Sequence, residues 1–170
     1  IAAAWRPNLP ALPSDVWEPT KTTLHLWVQI VGKVKLATTA PRNHWWNVPL
    51  YLDVRGLTTR RLLHAQVSFQ IDFDFVDHRL LVRTNRGQQG SFRLQEGLSV
   101  AGFDRQLHHL LDQLGVDVPI REDPYGVPIT TPFPNDAEHA AYHPDSPCCG
   151  TGRSWTGSTP FSRSSPVGTA

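Results

Sequence analysis

Two aspartates on one predicted strand are the residues of this chain best suited to chemistry. Asp72 and Asp74 alternate with apolar positions in the run Val67, Phe69, Ile71, Phe73 and Phe75. Side chains two residues apart on a strand point to the same face, which places the two carboxylates roughly 7 Å apart. Such a pair can bind a metal, hold a cationic group or share acid–base work. The plainer interpretation is the solvated face of an antiparallel sheet.

An aromatic pair beside a histidine could enclose a pocket near these acids. His44 directly precedes Trp45 and Trp46. The indoles would supply an apolar wall and the imidazole a polar group within it. Tryptophan more often anchors a core, and a histidine beside it is more often structural.

A polar row on a predicted helix could face the same pocket. His25, Gln29 and Lys33 are four residues apart in sequence, although such a row is more often a solvent-facing helix surface. His25 could join His44, His78 and an aspartate in a metal site, but no dense ligand motif is present, so any metal or cofactor stays unknown. The predicted site consists of catalytic residues His25, His44, Asp72 and Asp74 and ligand-binding residues Gln29, Trp45, Trp46, Tyr51 and Arg55.

The spacing of apolar residues predicts the elements that position this site. A first amphipathic helix is predicted over about residues 21–37, with Thr20 as its N-cap. Ser99 opens a second helix over about residues 99–113, which Gly115 ends. Alternating patterns predict strands, the first of which would bury Leu52 and Val54, at residues 47–55, 67–75, 79–84, 91–94 and 116–120. This order predicts an α+β fold: an antiparallel sheet of four to five strands with two amphipathic helices on one face.

Composition narrows the classes of protein that the chain can represent. It has 170 residues and a formal net charge of +1, which fits one domain and gives no reason to expect a nucleic-acid partner. No apolar run approaches the roughly 20 residues that span a bilayer. Two cysteines cannot form a disulfide framework, and no signal peptide is predicted. We expect a cytoplasmic protein with a small molecule as its candidate ligand, no membrane partner and an oligomeric state that the sequence leaves open.

The composition divides the chain into three segments. Residues 1–13 are rich in Pro and Ala and predict an extended lead-in, and residues 14–145 predict a single α+β domain. Residues 146–170 are dominated by Ser, Gly, Thr and Pro and lack Leu, Ile, Asp and Glu, which is typical of a disordered tail. An alternative hypothesis is a shifted reading frame after about residue 147. In the shifted frame, five new codons would encode aliphatic residues, Met or Phe at the spacing of one helix face. These codons begin within those of Arg153, Ser154, Gly157, Pro160 and Phe161.

Three unusual runs in series resemble one family. These runs are TLHLWVQIVGKVKLA (23–37), NHWWNVPLYLDVRGLTT (43–59) and FQIDFDFVDHRLLVRT (69–84). They are similar to a bacterial family, domain of unknown function 5996, over about residues 10–145. The resemblance implies that this chain corresponds to the amino-terminal half of longer members, which continue past residues 139–142 with a helix and a second half. The chain departs from the family at His143, where an Asp is expected, and after Pro147. The resemblance implies a fold and candidate positions rather than a reaction.

These observations favour a domain that binds a small polar molecule, or acts on it, in a pocket of His, Asp and Trp side chains. Asp72 and Asp74 would bind a cation or transfer protons, while His44 and His25 would orient the ligand or donate to it. One alternative is a non-catalytic interaction module whose tryptophans are buried against a partner or the other half. Another is a truncated fragment with no function of its own. Whether the protein is an enzyme stays open.

Overall fold

Two helices and six strands make up the part of the chain that the structure describes. A computed structural model describes residues 14–144. The helices are α1 (Ser14–Thr38) and α2 (Val100–Gln113). The strands are β1 (Tyr51–Asp53), β2 (Gly56–Thr58), β3 (Leu62–His64), β4 (Val67–Asp74), β5 (Arg79–Thr84) and β6 (Gln89–Arg93). Single 3-10 turns occupy Asn43–Trp45 and Phe133–Asn135. The predicted lead-in, the predicted tail and the frame-shift hypothesis lie outside the described residues.

α1 is longer than the sequence pattern predicts. The predicted N-cap at Thr20 is wrong, because the helix begins at Ser14 and Thr20 is buried within it. Pro19 lies inside the helix, although proline lacks the N–H that bonds four residues back. The turn around it is held by an ion pair of 2.7 Å between Lys21 and Glu18. The Lys21 ammonium also lies 5.4 Å from the centre of the Trp17 ring.

The sheet is antiparallel throughout and follows the order β1-β2-β4-β5-β6. β3 pairs with β4 beyond the end of β2. Thr58 lies opposite Asp72 and Leu62 lies opposite Phe69, so one strand advances four residues where its partner advances three. This extra residue is a β-bulge, which re-aims side chains at a sheet edge. Arg60 lies in it with a φ of 57°.

Two strand predictions are wrong in detail. The first predicted strand shortens to β1, and Leu52 and Val54 are exposed by 77% and 92% instead of buried. The chain turns back at once after β1 and adds two short strands, β2 and β3, between the first two predicted strands, so the sheet has six strands instead of four to five. Residues 116–120 form no strand, although Val116 and Val118 are buried. Their alternation reflects packing against the core without a strand partner.

Stacked aromatic rings join both helices to one face of the sheet. The Trp27 ring of α1 lies 5.0 Å from the Phe103 ring of α2, nearly parallel to it. Phe103 stacks in turn on Phe73 of β4 at 6.0 Å. The ring of Tyr142 also packs against Trp27, with the two ring centres 5.2 Å apart. The α+β class and the placement of both helices on one face are therefore confirmed.

The last described segment closes the start of α2. Ser99 is the N-cap as predicted, since its hydroxyl accepts a hydrogen bond from the Gly102 N–H at 3.1 Å. The carbonyls of His139 and Asp136 accept the N–H groups of Val100 and Ala101 at 3.0 and 2.8 Å. These bonds satisfy N–H groups that the first turn of a helix leaves without a partner.

Thr23 fixes the same segment to α1. Its buried hydroxyl accepts the Ala141 N–H at 3.1 Å and donates to the Pro19 carbonyl at 3.1 Å. One side chain thus satisfies two backbone groups, one from each end of the described chain.

The outer face of the sheet, opposite the helices, carries Asp72 and Asp74. The Asp72 carboxylate accepts from Arg83 at 2.6 Å and from the Gln70 amide at 2.8 Å. Asp74 accepts from Arg55 at 2.9 Å, and its other oxygen accepts the N–H groups of Val76 and Asp77, each at 3.0 Å. Both acids are buried but fully bonded, and Asp74 shapes the turn into β5.

Hydrogen bonds outweigh burial at Asp74. Burial has the largest single effect and alone would raise the pKa of this carboxyl group. The Arg55 guanidinium and the two backbone N–H groups act together in the opposite direction, so the pKa lies below its usual value. The charged form of Asp74 is therefore part of the folded structure.

Replacing Thr23 tests the connection between α1 and the closing segment. We expect Thr23→Val to lower the free energy of unfolding by about 1–3 kcal/mol, because it leaves the half-buried Ala141 N–H without its acceptor. Thr22→Val is the matched control, since Thr22 makes no side-chain hydrogen bond within the described residues. Urea denaturation measures both variants. Equal stability of the two would contradict the assigned role.

Replacing Asp74 tests the ion pairs of the outer face. Because its pKa is lowered on folding, its contribution is complete above the unfolded value, about 4, and is lost as the pH falls through the folded value. We expect Asp74→Asn to cost about 1–2 kcal/mol at neutral pH and nearly nothing in strong acid. Urea denaturation across this pH range measures the difference, with the exposed Asp117→Asn as control. A cost that does not change with pH would show that charge is not the cause.

Candidate functional site

A cleft of about 710 Å³ runs between α1, the loop around Trp45 and a loop at residues 121–125. Its α1 wall consists of residues at helical spacing: His25, Val28, Gln29, Gly32, Lys33 and Leu36. The opposite walls are formed by Trp45, Val48, Pro49, Leu50, Arg121, Asp123, Pro124 and Tyr125. Apolar and aromatic groups form most of these walls, with a few charged side chains among them, which is the usual composition of a small-molecule site.

Gln29 fixes one wall of the cleft to the other. Its amide nitrogen donates to the Tyr125 carbonyl at 3.0 Å, and its amide oxygen accepts the Tyr125 N–H at 2.9 Å. A side-chain amide thus pairs with a backbone peptide from a segment 96 residues away in sequence. The Gln29 nitrogen also lies 3.4 Å from Nε2 of His25. The predicted row on α1 therefore does border a hollow, and Gln29 holds its rim in shape.

The loop after α1 presents its indoles to solvent. Trp45 and Trp46 are exposed by 68% and 70%, so neither is the core anchor that tryptophan usually is. Trp45 lines the cleft and Trp46 does not. His44 and Trp45 have φ angles of 53° and 59°, a left-handed conformation that costs such residues roughly 1–2 kcal/mol each.

A polar residue holds this loop in its unusual shape. Asn47 is buried, accepts the Arg42 N–H at 3.3 Å and donates to the Thr39 hydroxyl at 3.2 Å. The Val48 N–H donates to the Trp45 carbonyl at 2.9 Å. The loop is thus anchored to the end of α1, and its backbone strain is compensated by these bonds.

The cleft carries a net positive charge. Lys33 and Arg121 are its two cations and Asp123 is its single carboxylate. Partial burial lowers the pKa of Lys33, and the nearby charge of Arg121 lowers it further, while Asp123 acts in the opposite direction. The Lys33 ammonium lies 5.8 Å from the Phe133 ring centre. The cleft therefore holds a lysine whose charge is only partly balanced by the protein.

The remaining predicted site residues lie elsewhere. Asp72 and Asp74 are on the outer face of the sheet, and Arg55 joins them there through its bonds to Asp74 and Asp77. His44 is exposed beside the cleft without lining it. Tyr51 packs against two cations at the start of β1. The structure brings together His25, Gln29 and Trp45 of the predicted set and separates them from the acids.

Sequence reasoning did not select four lining residues of the cleft. Lys33 was recognised only as a member of the polar row, and Arg121, Asp123 and Tyr125 lie in a segment without periodicity. Their contact with α1 depends on the long-range pairing of Gln29 with Tyr125. The position of Gln29 in the polar row of α1 was the only sign of this contact in the sequence. It does not show that Tyr125 is the partner.

Residues 14–144 contain neither a metal-binding cluster nor a membrane-spanning helix. Within them, no three or more His, Cys, Asp or Glu side chains are grouped so as to hold a metal ion. The structure therefore does not assemble the histidine and aspartate set considered from the sequence. No helix in this range has the length and apolar character needed to cross a bilayer.

Comparison with known proteins identifies the chain at the level of a family. No curated protein and no solved structure matches it. The model of a family of unknown function, DUF5996, matches residues 9–148, which agrees with the resemblance of the three sequence runs. Since this match covers most of the chain, the protein belongs to DUF5996, a family of unknown function.

Proposed function

We propose that this protein binds a small molecule that carries a negatively charged group on a flat apolar body, in the cleft between α1 and residues 121–125. The observation that carries the proposal is the placement of Lys33 and Arg121 in a cleft otherwise lined mainly by apolar and aromatic groups. No reaction is assigned, and the proposal does not require one.

Electrostatics favours an anion beside Lys33 and Arg121. The pKa of Lys33 is lowered, so burial and Arg121 together make its charged form less favourable than it is in water, despite Asp123. An anionic ligand would stabilise both cations in a site partly shielded from water, where charge-assisted hydrogen bonds are strong. A carboxylate, sulfonate or phosphate group has the required chemistry.

The apolar lining of the cleft would hold the flat apolar body of the ligand. Trp45 offers a largely exposed indole, and Leu36, Val48 and Leu50 lie along the same hollow. Leaving an indole in water forgoes the free energy of burial, about 25 cal/mol for each Å² of apolar surface. A flat apolar ligand that stacks on Trp45 would recover part of it.

The polar row supplies orientation in this proposal. Gln29 uses both ends of its amide on Tyr125 and acts as a positioning residue. When Nε2 of His25 accepts from Gln29, the neutral imidazole carries its proton on Nδ1 and can donate it to a ligand. We assign no ligand contact to His44, Asp72 or Asp74, nor to Trp46, Tyr51 or Arg55, all of which lie outside the lining.

A second candidate function is a non-catalytic interaction module. Trp46, Leu52 and Val54 are large apolar side chains exposed in one short stretch of sequence. They favour this function, because apolar groups that form a contiguous exposed patch often mark a contact surface. For either function we retain the predictions of a cytoplasmic location and no nucleic-acid partner, which rest on the composition and the net charge of +1.

A pair of matched dyes tests the proposed ligand class. 8-Anilinonaphthalene-1-sulfonate carries an anionic group on aromatic rings, and N-phenyl-1-naphthylamine has the same rings without it. We expect tighter binding of the sulfonate in fluorescence titrations. Lys33→Gln and Arg121→Gln should each weaken sulfonate binding about tenfold, the equivalent of 1.4 kcal/mol, and leave the neutral dye unchanged.

Two further variants complete this test. Trp45→Ala should weaken binding of both dyes, because it removes the apolar surface that they share. Arg105→Gln removes an exposed cation of α2 outside the cleft and should change neither. Equal affinity for the two dyes, or sulfonate binding that is unaffected by both cleft substitutions in folded protein, would refute the proposal.

A further inference from the structure

β1 ends the sheet with an open edge. It pairs with β2 on one side, and no backbone hydrogen bond from elsewhere in residues 14–144 reaches its other side. An exposed edge strand offers unpaired N–H and C=O groups to another strand unless charge, proline or a covering element prevents it. The residues of β1 are Tyr51, Leu52 and Asp53. The strand contains no proline, and Asp53 is its one charged residue.

Apolar side chains are exposed around this edge. Leu52 at the centre of β1 is exposed by 77%, and Val54 in the adjoining turn by 92%. Trp46 is exposed by 70% in the loop that precedes the strand. Removing these groups from water would stabilise a complex in proportion to the apolar area buried.

Two cations meet at the first residue of β1 without a carboxylate. The guanidinium carbon of Arg60 lies 4.0 Å from the centre of the Tyr51 ring, and the Lys35 ammonium lies 4.4 Å from it. Lys35 donates to the Pro49 carbonyl, which is a neutral acceptor, and neither cation forms a salt bridge with any described residue. Burial lowers the pKa of Lys35, and the charge of Arg60 lowers it further. An acid supplied from outside would relieve this repulsion.

We propose that two copies of this chain associate edge to edge through antiparallel β1 strands, with a two-fold axis at Leu52 that places Asp53 of each copy beside the exposed Arg60 of the other. The two sheets then form one continuous sheet. This surface is separate from the cleft, and the proposal does not depend on the proposed ligand.

The sequence of β1 selects this register. In a symmetric antiparallel pair centred on Leu52, the two leucines face each other and Tyr51 lies opposite Asp53 in both directions. Opposed side chains have Cβ atoms about 4.5–5.5 Å apart, so the carboxylate is within reach of the guanidinium that covers the tyrosine ring. Centring on Asp53 would oppose two carboxylates, and centring on Tyr51 would bring both cation pairs together. Of the three registers centred on a residue of β1, only the one centred on Leu52 places opposite charges beside each other.

Sedimentation velocity over a concentration series of the full chain tests the proposal. The wild-type chain should form a dimer whose share rises with concentration. Asp53→Lys and Arg60→Glu should each weaken self-association on the order of tenfold or more, because two symmetric attractions become repulsions. Mixing the two variants should restore a dimer, since the introduced lysine of one chain then meets the introduced glutamate of the other. The unchanged Arg60 and Asp53 still pair across the same interface of the mixed dimer.

Controls separate this result from misfolding and from general charge effects. Arg61→Glu changes the adjacent exposed arginine, which has no ion pair with any described residue, and should leave association unchanged. Circular dichroism confirms that each variant is folded. A wild-type chain that stays monomeric at every concentration would overturn the proposal. So would a dimer that is insensitive to both charge reversals, or variants that fail to associate when mixed.

Discussion

The alternation of side chains along β4 is the constraint on which the rest of the structure depends. Phe69, Ile71 and Phe73 point towards the helices and are almost completely buried, while Asp72 and Asp74 point to the opposite face. Because the period of a strand is two, no local rearrangement can bring these acids to the side where α1 and α2 pack. A site built on the helices must therefore take its charged groups from the helices and loops. Lys33, Arg121 and Asp123 fulfil that requirement.

Regular periodicity made most of the fold predictable from the sequence. β4 and α2 carry apolar residues at strict spacing, and their bounds agree with the prediction to within one residue. β5 agrees at both ends. The errors lie where local patterns compete with tertiary contacts. α1 begins before the apolar spacing that predicted it, and the alternation of residues 116–120 comes from burial against the core without a strand partner.

The candidate site was less predictable because its walls meet only in three dimensions. The helix row of His25, Gln29 and Lys33 could be recognised from a spacing of four residues. Its partner loop has no periodic pattern, and the bond between Gln29 and Tyr125 crosses 96 residues. The sequence also made it reasonable to expect Asp72 and Asp74 beside this row, since the strand and the helix each have a polar face. Only the topology shows that one faces the cleft and the other faces away from the helices.

The distribution of paired and unpaired charges connects the two proposed surfaces. The acids of the outer face are neutralised by arginines of the same sheet, whereas the lysines in the last turns of α1 have no ion-pair partner among the described residues. The carboxyl end of a helix carries partial negative charge, which stabilises cations there by roughly 0.3–1 kcal/mol. This field offsets part of the cost of burying Lys35, which lies in the last turn of α1, but supplies no acceptor with a full charge. Lys33 faces the cleft and Lys35 faces the edge of β1. The same short stretch of helix can therefore attract an anionic ligand on one side and an acidic side chain of a second copy on the other.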